Sequence, residues 1–101
     1  MGGEEFAVIL HGLDTAEALA ITERLRSGVA AQPIRYSIGP STGQVAVTVS
    51  IGVSTFPEDG STPESLMEEA DQALYAAKQA GRNRVEVAAR RNENWPVNAS
   101  L

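Results

Sequence analysis

The sequence predicts an α/β sandwich of alternating strands and helices. Three observations carry this expectation. Residues 6–10, Phe-Ala-Val-Ile-Leu, form a continuous apolar run of strand length. Residues 45–54, "VAVTVSIGVS", alternate β-branched and small side chains with period two. Two further stretches, one between these runs and one after them, place apolar residues at helical spacing. Strand and helix in alternation imply a sheet with helices packed on it in two or three layers.

The first strand is apolar at every position from Phe6 to Leu10, as in strands covered on both faces. Phe6 is therefore expected in the core. "HGLD" breaks the run, with His11 in the loop. Asp14 is a good N-cap, and Glu17 three residues later completes a capping-box pattern. Ala18, Ile21, Leu25 and Val29 then fall on one helical stripe, with Glu17, Glu23, Arg24 and Arg26 at polar positions. Pro33 ends this helix by Gln32. Residues 37–44, "SIGPSTGQ", read as a loop.

In the second strand Val45, Val47, Val49, Ile51 and Val53 share one face. Ala46, Thr48, Ser50, Gly52 and Ser54 share the other. That second face is small rather than charged, so a helix or a ligand approaches it closely, and a helix is the commoner reason. Thr62 fits an N-cap with Pro63 at the first helical position. Leu66, Ala70, Ala73, Leu74 and Ala77 make the stripe, and Gly81 suits the position just past the helix end. Residues 84–89 form a last short strand. Residues 90–101 have no periodicity and read as a flexible tail, with Trp95 free to dock on the domain, so the domain proper is 1–89.

Composition narrows the class. The chain has 101 residues, 43% of them hydrophobic, enough for one small domain. Its 13 acidic against 8 basic residues give a net charge of −5. A generic nucleic-acid or anionic-membrane binder would need a basic face instead. There is no cysteine for a disulfide or thiolate metal site, and one histidine cannot build a histidine cage. No apolar run approaches the length of a membrane span, and no signal-peptide pattern is present. The expectation is a cytoplasmic protein.

Chemistry concentrates in two places. "GGEEF" at 2–6 puts two glycines and two carboxylates before the apolar run. The glycines suit a tight turn, which is the safer reading of these residues alone, and a missing side chain would also let a ligand lie against the backbone. Adjacent carboxylates on a turn are most often solvated. Lys78 and Arg82 stand four apart near the end of the last helix. They are neighbours on one face if the helix continues past Gly81. Cations there interact favourably with the helix dipole whatever else they do. Asp71 and Tyr75, one turn apart on the same helix, read as structural.

Together, "GGEEF" at 2–6, "VTVSIGVS" at 47–54 and "ADQALYAAKQAGRNRV" at 70–85 resemble, in order and spacing, the GGDEF domain family of diguanylate cyclases. The resemblance covers residues 2 to about 88. It implies a palm-like, nucleotidyl-cyclase-related α/β sandwich, here lacking the first strands and helices that precede the signature. The activity implied is condensation of two GTP into cyclic di-GMP with release of pyrophosphate. Implied with it are Mg²⁺ or Mn²⁺ and a homodimer in which each domain holds one GTP. A sensor domain or the absent N-terminal half is expected upstream. By this resemblance Glu4 and Glu5 are catalytic and metal-binding, and Gly2, Gly3, Lys78 and Arg82 contact the substrate. The signature then is the turn of a β-hairpin, and a turn would let both glutamates serve one site. The competing expectation is a noncatalytic nucleotide-binding or regulatory module that retains the fold.

Overall fold

The computed structural model describes residues 2–88, so the expectations for the 90–101 tail and for Trp95 lie outside the described residues. In chain order the elements are β1 (Gly2–His11), α1 (Thr15–Ala30), β2 (Ile34–Ile38), β3 (Ser41–Val45), β4 (Val47–Phe56), α2 (Pro63–Gln79) and β5 (Val85–Val87). β4 is the centre of a three-stranded parallel sheet of order β1-β4-β5. β1 runs beside it from Gly2↔Val47 to His11↔Phe56.

The alternation in β4 decides the layers. Val49, Ile51 and Val53 join Ala18 of α1 and Val87 of β5 in one buried cluster. Ser50, Gly52 and Ser54 face α2. The Ser54 hydroxyl donates to the Leu66 carbonyl at 2.8 Å. A Cβ built on Gly52 would stand 2.1 Å from the Leu74 nitrogen and 2.3 Å from the Ala70 oxygen. The small face of β4 is thus the seat of a helix, and the sandwich has three layers.

Both helices start where local chemistry places them. Asp14 and Glu17 close a capping box on α1, and Thr62 and Ser65 close one on α2 with Pro63 in its first turn. Leu66, Ala70, Ala73 and Ala77 of α2 are buried, as the stripe requires. After α2 the Arg82 amide donates to the Ala77 carbonyl at 2.9 Å and the Gly81 amide to Lys78 at 3.3 Å. Gly81 has φ +120°, so the end is a Schellman motif with glycine where a left-handed residue is needed.

Four expectations are corrected. Residues 37–44 are not a loop. They belong to the antiparallel hairpin of β2 and β3, which takes Val45 with it, and β4 starts at Val47. Every hairpin residue but Gly43 is exposed, so burial leaves no alternating signature in its sequence. Its turn uses Gly39 at φ +57° before Pro40. On α1, Ala18 and Thr22 are buried while Ile21 and Leu25 are 50% and 57% exposed. The helix is seated a fraction of a turn away from its most apolar stripe. Phe6 is 49% exposed rather than core, because α1 packs on β4 and β5 and leaves this face of β1 open. His11 ends β1 instead of lying in the loop, and its ring stacks on Phe56 at 5.6 Å.

β1 is an edge of the described sheet and carries the half-exposed Phe6. Unpaired edge groups beside apolar side chains favour association. Covering about 300 Å² of such surface is worth about 7 kcal/mol. The chain is expected to self-associate, and sedimentation velocity should show a coefficient that rises with concentration. A compact monomer at every concentration would contradict this.

Candidate functional site

The signature residues lie within β1 itself. Gly2 and Gly3 are strand residues, not a turn, and Glu4 and Glu5 follow them in regular register opposite Val49 and Ser50. Successive strand residues point to opposite faces. Glu4 therefore shares the face of Phe6 and Val8, and Glu5 shares the face of Ser50 and α2. The expected turn is not present, and Glu4 and Glu5 lie on opposite faces of β1. Gly3 has room beside it: a Cβ there would come only to 4.0 Å of the Thr48 hydroxyl.

The structure brings Glu5, Lys78 and Arg82 together. Lys78 Nζ, in the last turn of α2, stands 3.5 Å from Glu5 Oε1. Arg82 Nη1 donates to Glu5 Oε2 and completes the cluster. Arg82 arrives from the loop, not from a continued helix, because α2 ends at Gln79. The Schellman reversal carries it back towards β1. The cluster is open to solvent, with Glu5, Lys78 and Arg82 side chains 35%, 33% and 56% exposed.

The hydrogen bond from Arg82 holds the Glu5 carboxyl below its ordinary range. Partial desolvation opposes this, and the charge of Lys78 reinforces it. A depressed carboxyl contributes stability above its unfolded pKa and loses it as pH falls through the folded value. The cluster is thus intact at neutral pH and opens in acid.

Glu4 has no hydrogen-bond or ion-pair partner among the described residues, and it is exposed. No group of three or more His, Asp or Glu side chains among those residues is arranged to hold a metal ion. One free carboxylate suits an ion that takes most of its ligands from phosphate and water, as Mg²⁺ does. Asp71 and Tyr75, expected to be structural, are exposed on the outer face of α2. They line an open groove there with Met67, Glu68 and Glu86.

Sequence reasoning missed Asn83 and gave Arg26 only a polar position. The Arg26 guanidinium donates from Nη1 to Asn83 Oδ1 at 2.7 Å, one residue from Arg82. The contact spans 57 residues, and nothing in the local sequence of either residue announces it. Among the described residues no helix is long and apolar enough to cross a membrane.

A three-layer palm-like α/β domain, with an acidic strand end facing two cations, is the class that fold and site define. The chain belongs to the family described as "Diguanylate cyclase, GGDEF domain", whose model matches residues 1–84. It is 44% identical over 84 residues to the response regulator PleD of Caulobacter vibrioides, covering 83% of this chain and 18% of that protein. It is also 44% identical to diguanylate cyclase A of Treponema denticola, over 83% of this chain and 22% of the relative. The chain thus spans about a fifth of the length of these relatives. A solved GGDEF domain, DgcB of Caulobacter crescentus in complex with c-di-GMP, superposes with a TM-score of 0.64 at 32% identity. That match covers 75% of this chain and 42% of the solved one.

Proposed function

We propose that this chain contributes the signature strand and the phosphate-binding cations of a diguanylate cyclase. The protein that carries it condenses two GTP into cyclic di-GMP and releases pyrophosphate, as a metal-dependent homodimer in the cytoplasm. The observation that carries the reading is Glu5 held between Lys78 and Arg82, with Glu4 free on the neighbouring position.

Two cations around one carboxylate form a site already arranged for an anion. A triphosphate brings more negative charge than Glu5 and competes for both cations. As the phosphates take Lys78 and Arg82, the Glu5 carboxylate is released. Glu4 would hold the metal, while Glu5, on the other face of β1, answers to the phosphate-binding cations. The open backbone at Gly3 leaves space for the nucleotide. The metal, when bound, neutralises phosphate charge and polarises the attacked phosphoryl group.

The noncatalytic alternative has one observation in its favour: a single free carboxylate at the signature. For the chain by itself this favours inactivity, and it is expected to form no measurable cyclic di-GMP. Purified chain incubated with GTP and Mg²⁺, followed by chromatography, checks that. Binding tests the reading more directly. Lys78→Ala and Arg82→Ala should each weaken GTP binding by calorimetry, on the order of tenfold for a lost charge-assisted contact. Unchanged affinity in both variants would return these cations to helix capping.

A further inference from the structure

Arg82 reaches Glu5 from a strained backbone. Arg82 and Asn83 have φ +65° and +50°, directly after Gly81 at +120°. Two consecutive non-glycine residues in the left-handed region persist only where the surroundings over-determine them. The Schellman bonds account for Gly81 and the Arg82 amide. They do not reach Asn83.

Three contacts from other elements do hold this corner. The Asn83 amide donates to the Ser50 hydroxyl of β4 at 3.0 Å, and Ser50 is buried. The Ile51 amide donates to the Arg84 carbonyl at 2.9 Å. From α1, on the opposite side of the sheet from α2, Arg26 Nη1 donates to Asn83 Oδ1. Arg26 is itself clamped: its Nε and Nη2 donate to the two Glu23 oxygens at 2.9 and 2.6 Å. The bidentate pair fixes the plane of the guanidinium and aims the remaining Nη1 at Asn83.

We propose that Arg26, oriented by Glu23, is the positioning residue that locks Asn83 and thereby sets Arg82 on the phosphate-binding side of the domain. This rests on the reading that Lys78 and Arg82 bind phosphate. Arg26 has no hydrogen bond to Arg82 or Glu5, so it acts through the backbone. Asparagine suits position 83 on two counts. It tolerates the left-handed region, and its side-chain oxygen accepts from the guanidinium.

The test uses the 101-residue chain in two arms. In the first, NMR three-bond amide–α-proton couplings of Arg82 and Asn83 report their φ angles without any ligand. In the second, calorimetry follows Mg²⁺ and inorganic tripolyphosphate. Arg26→Leu and Asn83→Ala are expected to shift both couplings away from left-handed values. They should weaken tripolyphosphate on the order of tenfold, as for a lost hydrogen bond to a charged group. Asn83→Asp keeps the acceptor and should leave couplings and affinity near those of the parent chain. The double variant should be no weaker than either single one, because both remove the same contact. Unchanged Arg82 and Asn83 couplings in Arg26→Leu would overturn the proposal even if the melting temperature fell, since Arg26 would then be only a surface clamp on α1. Arg82→Ala is the separate control. If it leaves tripolyphosphate affinity unchanged, or if the parent chain binds none, the phosphate reading fails while the couplings still decide the lock.

Discussion

Gly52→Ala is expected to lower the melting temperature by roughly 12–24 °C, from a loss of about 3 kcal/mol at the upper end of overpacking costs. The added Cβ would stand 2.1 Å from the Leu74 nitrogen and 2.3 Å from the Ala70 oxygen. Both opposing atoms are backbone, so no side-chain rotation relieves the contact. Relief requires lifting α2, which packs on β1, β4 and β5 and carries Lys78. A domain of this size has stability of about 5–10 kcal/mol, so the change removes a large fraction of it. Gly28→Ala is the matched control. Gly28 lies within α1 and a Cβ there meets nothing within 4 Å. Alanine should stabilise by about 0.5–1 kcal/mol there, through helix propensity and a less flexible unfolded chain. Thermal unfolding of both variants followed by circular dichroism checks the pair. A Gly52→Ala chain as stable as its parent would mean that α2 is not seated on β4 at this distance.

Gly52 also marks where the sequence could be read. Its face of β4 shows only small residues, and smallness signals close approach without naming what approaches. Capping boxes are local, three residues apart, so Asp14–Glu17 and Thr62 were legible from the chain alone. The strand-helix alternation was legible because burial imposes a period on it. The β2–β3 hairpin was not, because its residues answer to solvent on both faces. Its Tyr36 ring lies against Gly43, a pairing set by register rather than by pattern. Ile21, Leu25 and Phe6 misled for the opposite reason. They are apolar, but where α1 sits on the sheet is decided by Ala18 and Thr22, which allow the closest approach. The site divides the same way. That Glu5, Lys78 and Arg82 are chemically active types was visible. That Glu5 and Arg82 meet across 77 residues, and that Glu4 does not join them, is a product of topology.

In the full-length protein that carries this domain, Glu4→Gln is expected to cut cyclic di-GMP formation by on the order of a hundredfold or more, the scale of removing a metal's charge compensation. The amide preserves the shape of the side chain and loses the charge that attracts a divalent cation. Glu4 has no protein partner to lose among the described residues, so the fold should be unaffected. Circular dichroism and turnover measured on the same sample separate the two effects. Glu5→Gln should behave differently, because Glu5 occupies the cations that phosphate needs. Removing its charge frees Lys78 and Arg82, so metal-free tripolyphosphate should bind more tightly to the Glu5 variant than to the parent. Glu4→Gln should leave that metal-free binding unchanged. Protonation mimics the Glu5 change: the same gain should appear in the parent as pH falls through the depressed Glu5 pKa, and be absent from Glu5→Gln. An active Glu4→Gln enzyme would assign Glu4 to a solvated strand end. Weaker metal-free binding in Glu5→Gln would show that its carboxylate orders the two cations for phosphate rather than competing with it.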